Sequence, residues 1–283
     1  MQSTAEISNS IILNAISKLP SRGVILNEAN YGLKYIRSYV EKLEVNSEIL
    51  EVGSGPCILL SHLCSAYSVH RFTGIEPVGP GFELFREPLN ILKANFGFNL
   101  HEDTYENFNP SKKYDLIFLI NVFEHLPDWR GFLQFAKNIL KPNGKCIILC
   151  PNYSFPYESH FGIPIIFGKD TTSKIFRKYI SNFESSKSSF GLWASLNFVK
   201  LRQVIKETKA IGLDSKINTQ INVDLINRLS CDPEFAERQR FIGSVAKILE
   251  SIGLVKALGI YPFFLFQPYM HIEISIKPDQ PQP

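Results

Sequence analysis

The sequence predicts an α/β fold, a doubly wound and mostly parallel sheet with helices on both faces. Two observations carry that expectation. From Ile49 onward, short apolar runs alternate with amphipathic helical patterns. Each of those runs also ends on a polar residue: Glu51 ahead of the glycines, then Glu76, Asp103, Asn121 and Asn152. In open parallel sheets the crevice for ligands lies at the carboxyl ends of the strands.

The first run, Ile49-Leu50-Glu51-Val52, breaks at Gly53-Ser54-Gly55-Pro56 and reads as a buried strand entering a tight turn and then a helix. Gly53 and Gly55 carry no Cβ, so the backbone can take positive φ and a ligand can approach the main chain. Pro56 suits the first turn of the following helix, whose free N–H groups favour an electronegative ligand.

Residues 1–48 read as helices leading into this strand. Ile7, Ile11, Ile12 and Ile16 recur at helical spacing, and Tyr31, Tyr35, Ile36, Tyr39, Val40 and Leu43 form a second stripe. Helix packing is the preferred reading of those tyrosines, with a lid over the site as the alternative. The α/β core occupies 49–152. Its helices are expected over Pro56–Tyr67, Pro80–Phe96 and Asp128–Leu140, and its later strands over His70–Ile75, Phe98–Glu102, Tyr114–Ile120 and Lys145–Cys150, with a turn at Pro142–Gly144. Residues 153–195 read as a cap insertion that opens on a loop rich in aromatic and titratable groups, followed by helices. Lys169, Lys174, Arg177 and Lys178 there are expected on a solvated face, with an anionic acceptor as the minority reading. A core helix and strand fill 196–220 and a second cap insertion 221–262; the last core strand falls in 263–277, and 278–283 is a disordered tail.

Composition removes several classes of function. The net charge of +3 over 283 residues comes without a block of consecutive Lys or Arg, so nucleic acid is not expected as a partner. Five cysteines without a Cys-x-x-Cys motif argue against a disulfide framework and a zinc site, and no metal is expected. Buried, reduced thiols in a cytoplasmic protein are expected instead. The N-terminus shows no secretory signal, and the most apolar stretch, Tyr261–Met270, is short of the roughly 20 residues that span a bilayer. A buried turn entering a strand is expected there.

Glu76 stands where an acid can accept hydrogen bonds from both hydroxyls of a ribose. A dinucleotide fingerprint starting at Gly53 would need glycine at Ile58, which disfavours a dehydrogenase. Glu51 sits poorly against a pyrophosphate but well beside an ammonium or sulfonium charge. A ribose-bearing cationic ligand without phosphates fits best.

Together these residues resemble the class I S-adenosylmethionine-dependent methyltransferases, in particular the small-molecule, ubiquinone-biosynthesis-like branch. The resemblance is carried by Glu51-Val52-Gly53-Ser54-Gly55, Glu76, Asp103-Thr104, Tyr114-Asp115-Leu116-Ile117, Phe123-Glu124-His125-Leu126-Pro127-Asp128 and Leu140-Lys141-Pro142-Asn143-Gly144-Lys145, in order over about residues 45 to 152. It implies a Rossmann-like seven-stranded sheet with one antiparallel edge strand and helical cap insertions. It also implies S-adenosylmethionine as cofactor, with main chain around Gly53, Ser54 and Gly55 at the methionine portion. Glu76 and the adjoining Pro77 would lie at the ribose, Asp103 and Thr104 at the adenine, and Asn121 near the amino acid end. One departure is Cys57, where the family often has a third glycine.

The acceptor is expected to be a small molecule that offers a hydroxyl: a glycan sugar, a phenol or quinone precursor, or a lipid-linked intermediate. A general base would then help remove its proton. His125 is the first candidate, its ordinary pKa lying near working pH, with bracing of the next helix as the competing role. Glu124, His160 and Glu158 are the other candidates. The alternative from another class is a protein that keeps the fold for binding or scaffolding and transfers nothing.

Overall fold

The computed structural model describes residues 7, 9–20, 22–79, 83–187, 189–239, 243, 253 and 259–277. The tail at 278–283 and the stretch 244–252 of the second cap lie outside the described residues. In chain order the helices are α1 (Ser10–Ala15), α2 (Arg22–Val40), α3 (Ile58–Ala66), α4 (Arg86–Phe96), α5 (Trp129–Ile139), α6 (Lys169–Ile175), α7 (Arg177–Lys187), α8 (Leu192–Ser195), α9 (Leu201–Ala210), α10 (Ile221–Cys231) and α11 (Pro233–Arg238). The strands are β1 (Glu48–Val52), β2 (Arg71–Ile75), β3 (Asn99–His101), β4 (Tyr114–Ile120), β5 (Leu140–Pro151), β6 (Tyr157–Glu158), β7 (Ile163–Pro164), β8 (Leu213–Ile217) and β9 (Tyr269–Ile276). Seven of them form one mixed sheet in the order β3-β2-β1-β4-β5-β9-β8, with its antiparallel strand in the β8–β9 region, as the sequence predicts.

The chain divides into two compact units. Residues 1–122, 130–147 and 274–283 form the first, and residues 123–129 and 148–273 form the second.

In the first unit β1 is buried along its whole length, between β2 and β4, and both pairings are parallel. Asp115 ties the start of this layer: its Oδ2 accepts from the Glu48 amide and from Lys141 Nζ, each at 2.7 Å. Helix α2 packs rather than standing open, with Tyr31, Leu33, Tyr35, Ile36 and Val40 buried. Gly32 permits this, since a Cβ there would meet Leu59 at 3.0 Å and Ile120 at 3.3 Å. The helix expected from Pro80 begins as regular α-helix only at Arg86, after a short 3-10 turn over Glu83–Phe85. Strand β5 starts earlier than expected, and the Pro142–Gly144 turn is absorbed into it. Gly144 lies so close to β4 that a Cβ would stand 2.7 Å from Tyr114 O.

The second unit has its own core of Tyr153, Phe161, Ile163, Ile180, Trp193 and Leu196. The expected loop after β5 contains a small antiparallel hairpin, in which Tyr157 pairs with Pro164 and Glu158 with Ile163. Asn152 is the hub of this unit. Its Nδ2 donates to Leu265 O and Gln267 O, and its Oδ1 accepts from the Ser154 and Leu201 amides.

Two expectations are corrected in the second unit. Lys169 is only partly exposed and is tied down: its Nζ donates to the carbonyls of Ala194 and Leu196, which binds the start of α6 to the end of α8. Lys174, Arg177 and Lys178 are exposed as expected, and the first two line a cleft of about 460 Å³ with Glu184 and Trp193. The turn before β9 is also not buried. Tyr261, Phe263 and Phe266 are exposed, because the short 3-10 turn over Phe263–Phe266 puts its two ends three residues apart on one side.

All five cysteines are free, and Cys57, Cys146 and Cys150 are buried as expected, whereas Cys231 is exposed on the short α10. Among the described residues no helix is long and apolar enough to cross a membrane.

Candidate active site

The site residues fall into two groups, one in each unit. In the first unit β3, β2, β1 and β4 are neighbours and run parallel, so their carboxyl ends share one edge. That edge carries Glu51 to Gly55, Glu76 with Pro77, Asp103 with Thr104, and Asn121.

The glycine turn has the geometry its sequence requires. The Gly53 and Ser54 amides both donate to Ile75 O, at 2.8 and 3.1 Å. Gly53 has φ +72°, and a Cβ would stand 2.3 Å from Val122 Cγ2. Gly55 has φ +52°, and a Cβ there would meet nothing within 4 Å, so its outer face is open to a ligand. Helix α3 begins at Ile58, later than expected from Pro56, and Cys57 precedes it in the left-handed region at φ +61°. The third glycine is therefore replaced by a residue that takes a glycine-like conformation, at a cost of about 1 kcal/mol.

Two buried carboxyls flank this turn. Glu76 Oε2 accepts from the Gly55 amide at 2.7 Å. Burial raises the Glu76 pKa to about 7, against the opposing pull of that N–H. Glu51 is pushed well above the usual carboxylate range, first by burial and then by the charge of Glu76, although the Leu60 backbone donates to it. Its Oε2 has no hydrogen-bond partner among the described residues. A desolvated pocket of this kind favours neutral carboxyls until a cation restores their charge, and among the described residues it offers a phosphate no positive partner. It accepts a cation or hydroxyl donors.

Asp103 is half-buried and partly engaged: Oδ1 accepts from the Thr104 amide at 2.7 Å, and both oxygens accept from Asn107 Nδ2 at 3.1 Å. These donors hold its pKa below the usual value. Asn121 closes β4 at φ +55° and donates to Glu28 Oε2 of α2 at 3.1 Å.

The second unit brings together all four catalytic candidates. Glu124 and His125 lie on a 3-10 turn over Phe123–His125, and His160 lies in the hairpin loop after Glu158. The two imidazole rings are 5.4 Å apart. Glu158 is completely buried and accepts from His160 Nδ1 at 2.6 Å, the Phe161 amide at 2.7 Å, the His160 amide at 3.2 Å and Tyr153 OH at 3.3 Å. Burial pushes its pKa up, but His160 and these N–H donors outweigh that and hold it below the ordinary value. Glu158 is thus ionised and braces His160. His125 is pulled down to about 4, first by burial and then by His160, so it is neutral at working pH.

Sequence reasoning missed two residues that fix this turn. Asn197 donates through Nδ2 to Phe123 O at 2.8 Å and Leu126 O at 3.0 Å, and its amide donates to Glu124 O. Ser195 Oγ donates to Leu192 O at 2.8 Å and so receives the His125 Nδ1 proton at 2.9 Å. An asparagine just before a helix is a turn signal, but nothing local shows which distant turn it holds.

A glycine turn at the end of β1, an acid at the end of β2 and a seven-stranded doubly wound sheet define a nucleoside-cofactor-binding α/β protein. A family model described as "Methyltransferase domain" matches residues 28–208. The chain is also 32% identical over 254 residues to the uncharacterized protein Rv1509 of Mycobacterium tuberculosis, covering 88% of this chain and 85% of that one. It is 24% identical over 181 residues to a ubiquinone biosynthesis O-methyltransferase of Glaesserella parasuis, covering 61% and 73%. Among solved structures, the plantazolicin methyltransferase BpumL in complex with SAH shares the fold, with a TM-score of 0.50, 17% identity and 95% of each chain covered. So does a Haemonchus contortus phosphoethanolamine N-methyltransferase 2, with a TM-score of 0.52, 14% identity and coverages of 96% and 61%. The chain belongs to the methyltransferase-domain family, a family of S-adenosylmethionine-dependent enzymes.

Proposed function

We propose that this chain transfers a methyl group from S-adenosylmethionine to a hydroxyl of a small-molecule acceptor. The observation that carries the cofactor side is the open glycine turn with two buried carboxyls, Glu51 and Glu76, raised by burial beside it. That pocket suits a cationic ligand with ribose hydroxyls and no phosphate. In this reading the main chain from Gly53 to Gly55 meets the methionine portion, and the positive charge of the cofactor draws Glu51 into its ionised form. Glu76 keeps the Gly55 amide on one oxygen and accepts the ribose hydroxyls on the other. Pro77 follows it, Asp103 and Thr104 meet the adenine, and Asn121 lies near the amino acid end. Bound S-adenosylmethionine supplies an activated methyl for in-line displacement, which requires near-attack alignment with the acceptor.

An oxygen acceptor must also lose a proton. The ionised Glu158 holds the Nδ1 proton of His160 and leaves Nε2, on the side of Glu124 and His125, as the proton acceptor. The likeness to a ubiquinone biosynthesis O-methyltransferase supports oxygen as the acceptor atom. A phenol or quinone precursor, a glycan sugar and a lipid-linked intermediate all meet this requirement.

Calorimetric titration with S-adenosylmethionine, S-adenosylhomocysteine and NAD tests the cofactor. Binding of the first two that is lost in Glu76→Ala supports the reading, and tighter binding of NAD sinks it. A panel of phenols, sugars and acids, scored by release of S-adenosylhomocysteine, tests the acceptor. A panel with no turnover favours the non-catalytic alternative.

A further inference from the structure

The second unit gathers three metal-ligating side chains in a form that proton removal by one histidine does not require. Glu124 Oε1 stands 3.9 Å from His125 Nε2 and 3.8 Å from His160 Nε2, and the three donor atoms all lie within 4.8 Å of one another. We propose that Glu124, His125 and His160 form a binding site for a divalent first-row transition-metal ion.

Both imidazoles are set for ligation by their other nitrogen. His160 Nδ1 donates to the buried Glu158 carboxylate, which leaves the Nε2 lone pair on the side of Glu124. His125 Nδ1 donates to Ser195 Oγ, because the Ser195 hydroxyl proton is already given to Leu192 O; its Nε2 lone pair is likewise turned toward Glu124. An imidazole that ligates a metal through one nitrogen and is fixed through the other by a carboxylate or hydroxyl is the usual arrangement of such sites. Glu124 is completely buried, and a bound cation would neutralise its carboxylate. The turn that carries Glu124 and His125 is itself held by Asn197.

Distances and donor types narrow the ion. Four-coordinate zinc with bonds of about 2.1 Å has ligand atoms about 3.4 Å apart, so the two Glu124–histidine distances close by about half an ångström on binding and the histidine–histidine distance by up to about 1.4 Å. Two imidazoles and one carboxylate favour Zn²⁺, Fe²⁺, Co²⁺ or Mn²⁺ over Mg²⁺ or Ca²⁺, which prefer oxygen. Three protein ligands leave a coordination position for an outside oxygen. With an ion bound, His160 Nε2 would be a ligand rather than the proton acceptor, and the ion itself would lower the pKa of the coordinated oxygen. That this oxygen belongs to the methyl acceptor rests on the methyl-transfer reading, whereas metal binding itself does not.

The test uses the full chain, stripped with a chelator and titrated with Co²⁺ while visible absorption is recorded. We expect one equivalent bound, with d–d bands from a nitrogen and oxygen ligand set. Glu124→Gln and His160→Gln should each weaken binding at least about a hundredfold, and Ser195→Ala about tenfold with unchanged stoichiometry. Should Glu124→Gln fail to fold by circular dichroism, the half-buried His160 carries the comparison. No stoichiometric uptake, or uptake unaffected by Glu124→Gln and His160→Gln, overturns the proposal. S-adenosylhomocysteine titrated into the same metal-free protein separates the two readings: retained nucleoside binding without Co²⁺ uptake removes the metal site alone.

Discussion

The Gly55 amide donates a 2.7 Å hydrogen bond to the Glu76 carboxylate, joining the glycine turn after β1 to the acid at the end of β2. This bond only partly offsets burial, and the Glu76 pKa rises from 4.5 to about 7. Between those values the unfolded chain has released the proton and the folded chain keeps it. The folded state therefore binds more protons, and stability falls as pH rises through that window. The penalty is absent below pH 4.5 and complete above about 7, on the order of 3 kcal/mol. Urea unfolding of wild type and Glu76→Gln at pH 5 and pH 8 checks this. The variant should gain on wild type by that order at the higher pH, and a pH-independent difference would refute it. His125 and His271, both pulled down to about 4, slope the other way below pH 6.5, but both proteins carry them and they cancel in the difference.

The two glycines of the turn should fail differently. Gly53→Ala puts a Cβ 2.3 Å from Val122 at φ +72°, so it should cost several kcal/mol of stability, roughly 2–4, read as a lower thermal midpoint. Gly55→Ala meets no protein atom and should cost about 1 kcal/mol. In the cofactor reading it nonetheless weakens S-adenosylhomocysteine about tenfold or more in calorimetry, because its methyl occupies ligand space. Equal affinity in Gly55→Ala would place the nucleoside elsewhere.

Glu158 is expected to act through His160. Glu158→Gln removes the charge that favours the Nδ1–H tautomer, so turnover should fall about ten- to hundredfold with cofactor affinity unchanged. A parallel loss of cofactor affinity would point to a folding role instead.

Asn152→Ala should be among the most destabilising single changes in the second unit. It strands the carbonyls of Leu265 and Gln267 and the amides of Ser154 and Leu201, at a cost of at least about 3 kcal/mol in chemical denaturation. Asn152→Asp keeps the acceptor but sets a buried carboxylate oxygen against the Leu265 and Gln267 carbonyls, so it should not rescue the loss.

Much of the first unit was legible because its signals are local. Apolar runs, the Gly53–Gly55 break and the polar strand ends each depend on a few consecutive residues. The errors arose where a distant neighbour set the outcome: Gly144 is drawn into β5 by the closeness of Tyr114, and the half-exposed Lys169 is turned onto carbonyls at the end of α8. The hairpin of Tyr157–Glu158 and Ile163–Pro164 is too short to leave a periodic trace.

The sequence by itself determined the fold class, the order of strands and helices through Asn152, and which residues lie at the strand ends, since side-chain periodicity and glycine placement are written residue by residue. It also determined which titratable groups follow the fourth and fifth strands. Only the tertiary structure decided that β9 enters the sheet between β5 and β8, and that Glu124 and His125 meet His160 with Glu158, Ser195 and Asn197 fixing their orientation. Those relationships join residues far apart in the chain. They are set by how the folded backbone returns on itself, which no local pattern records.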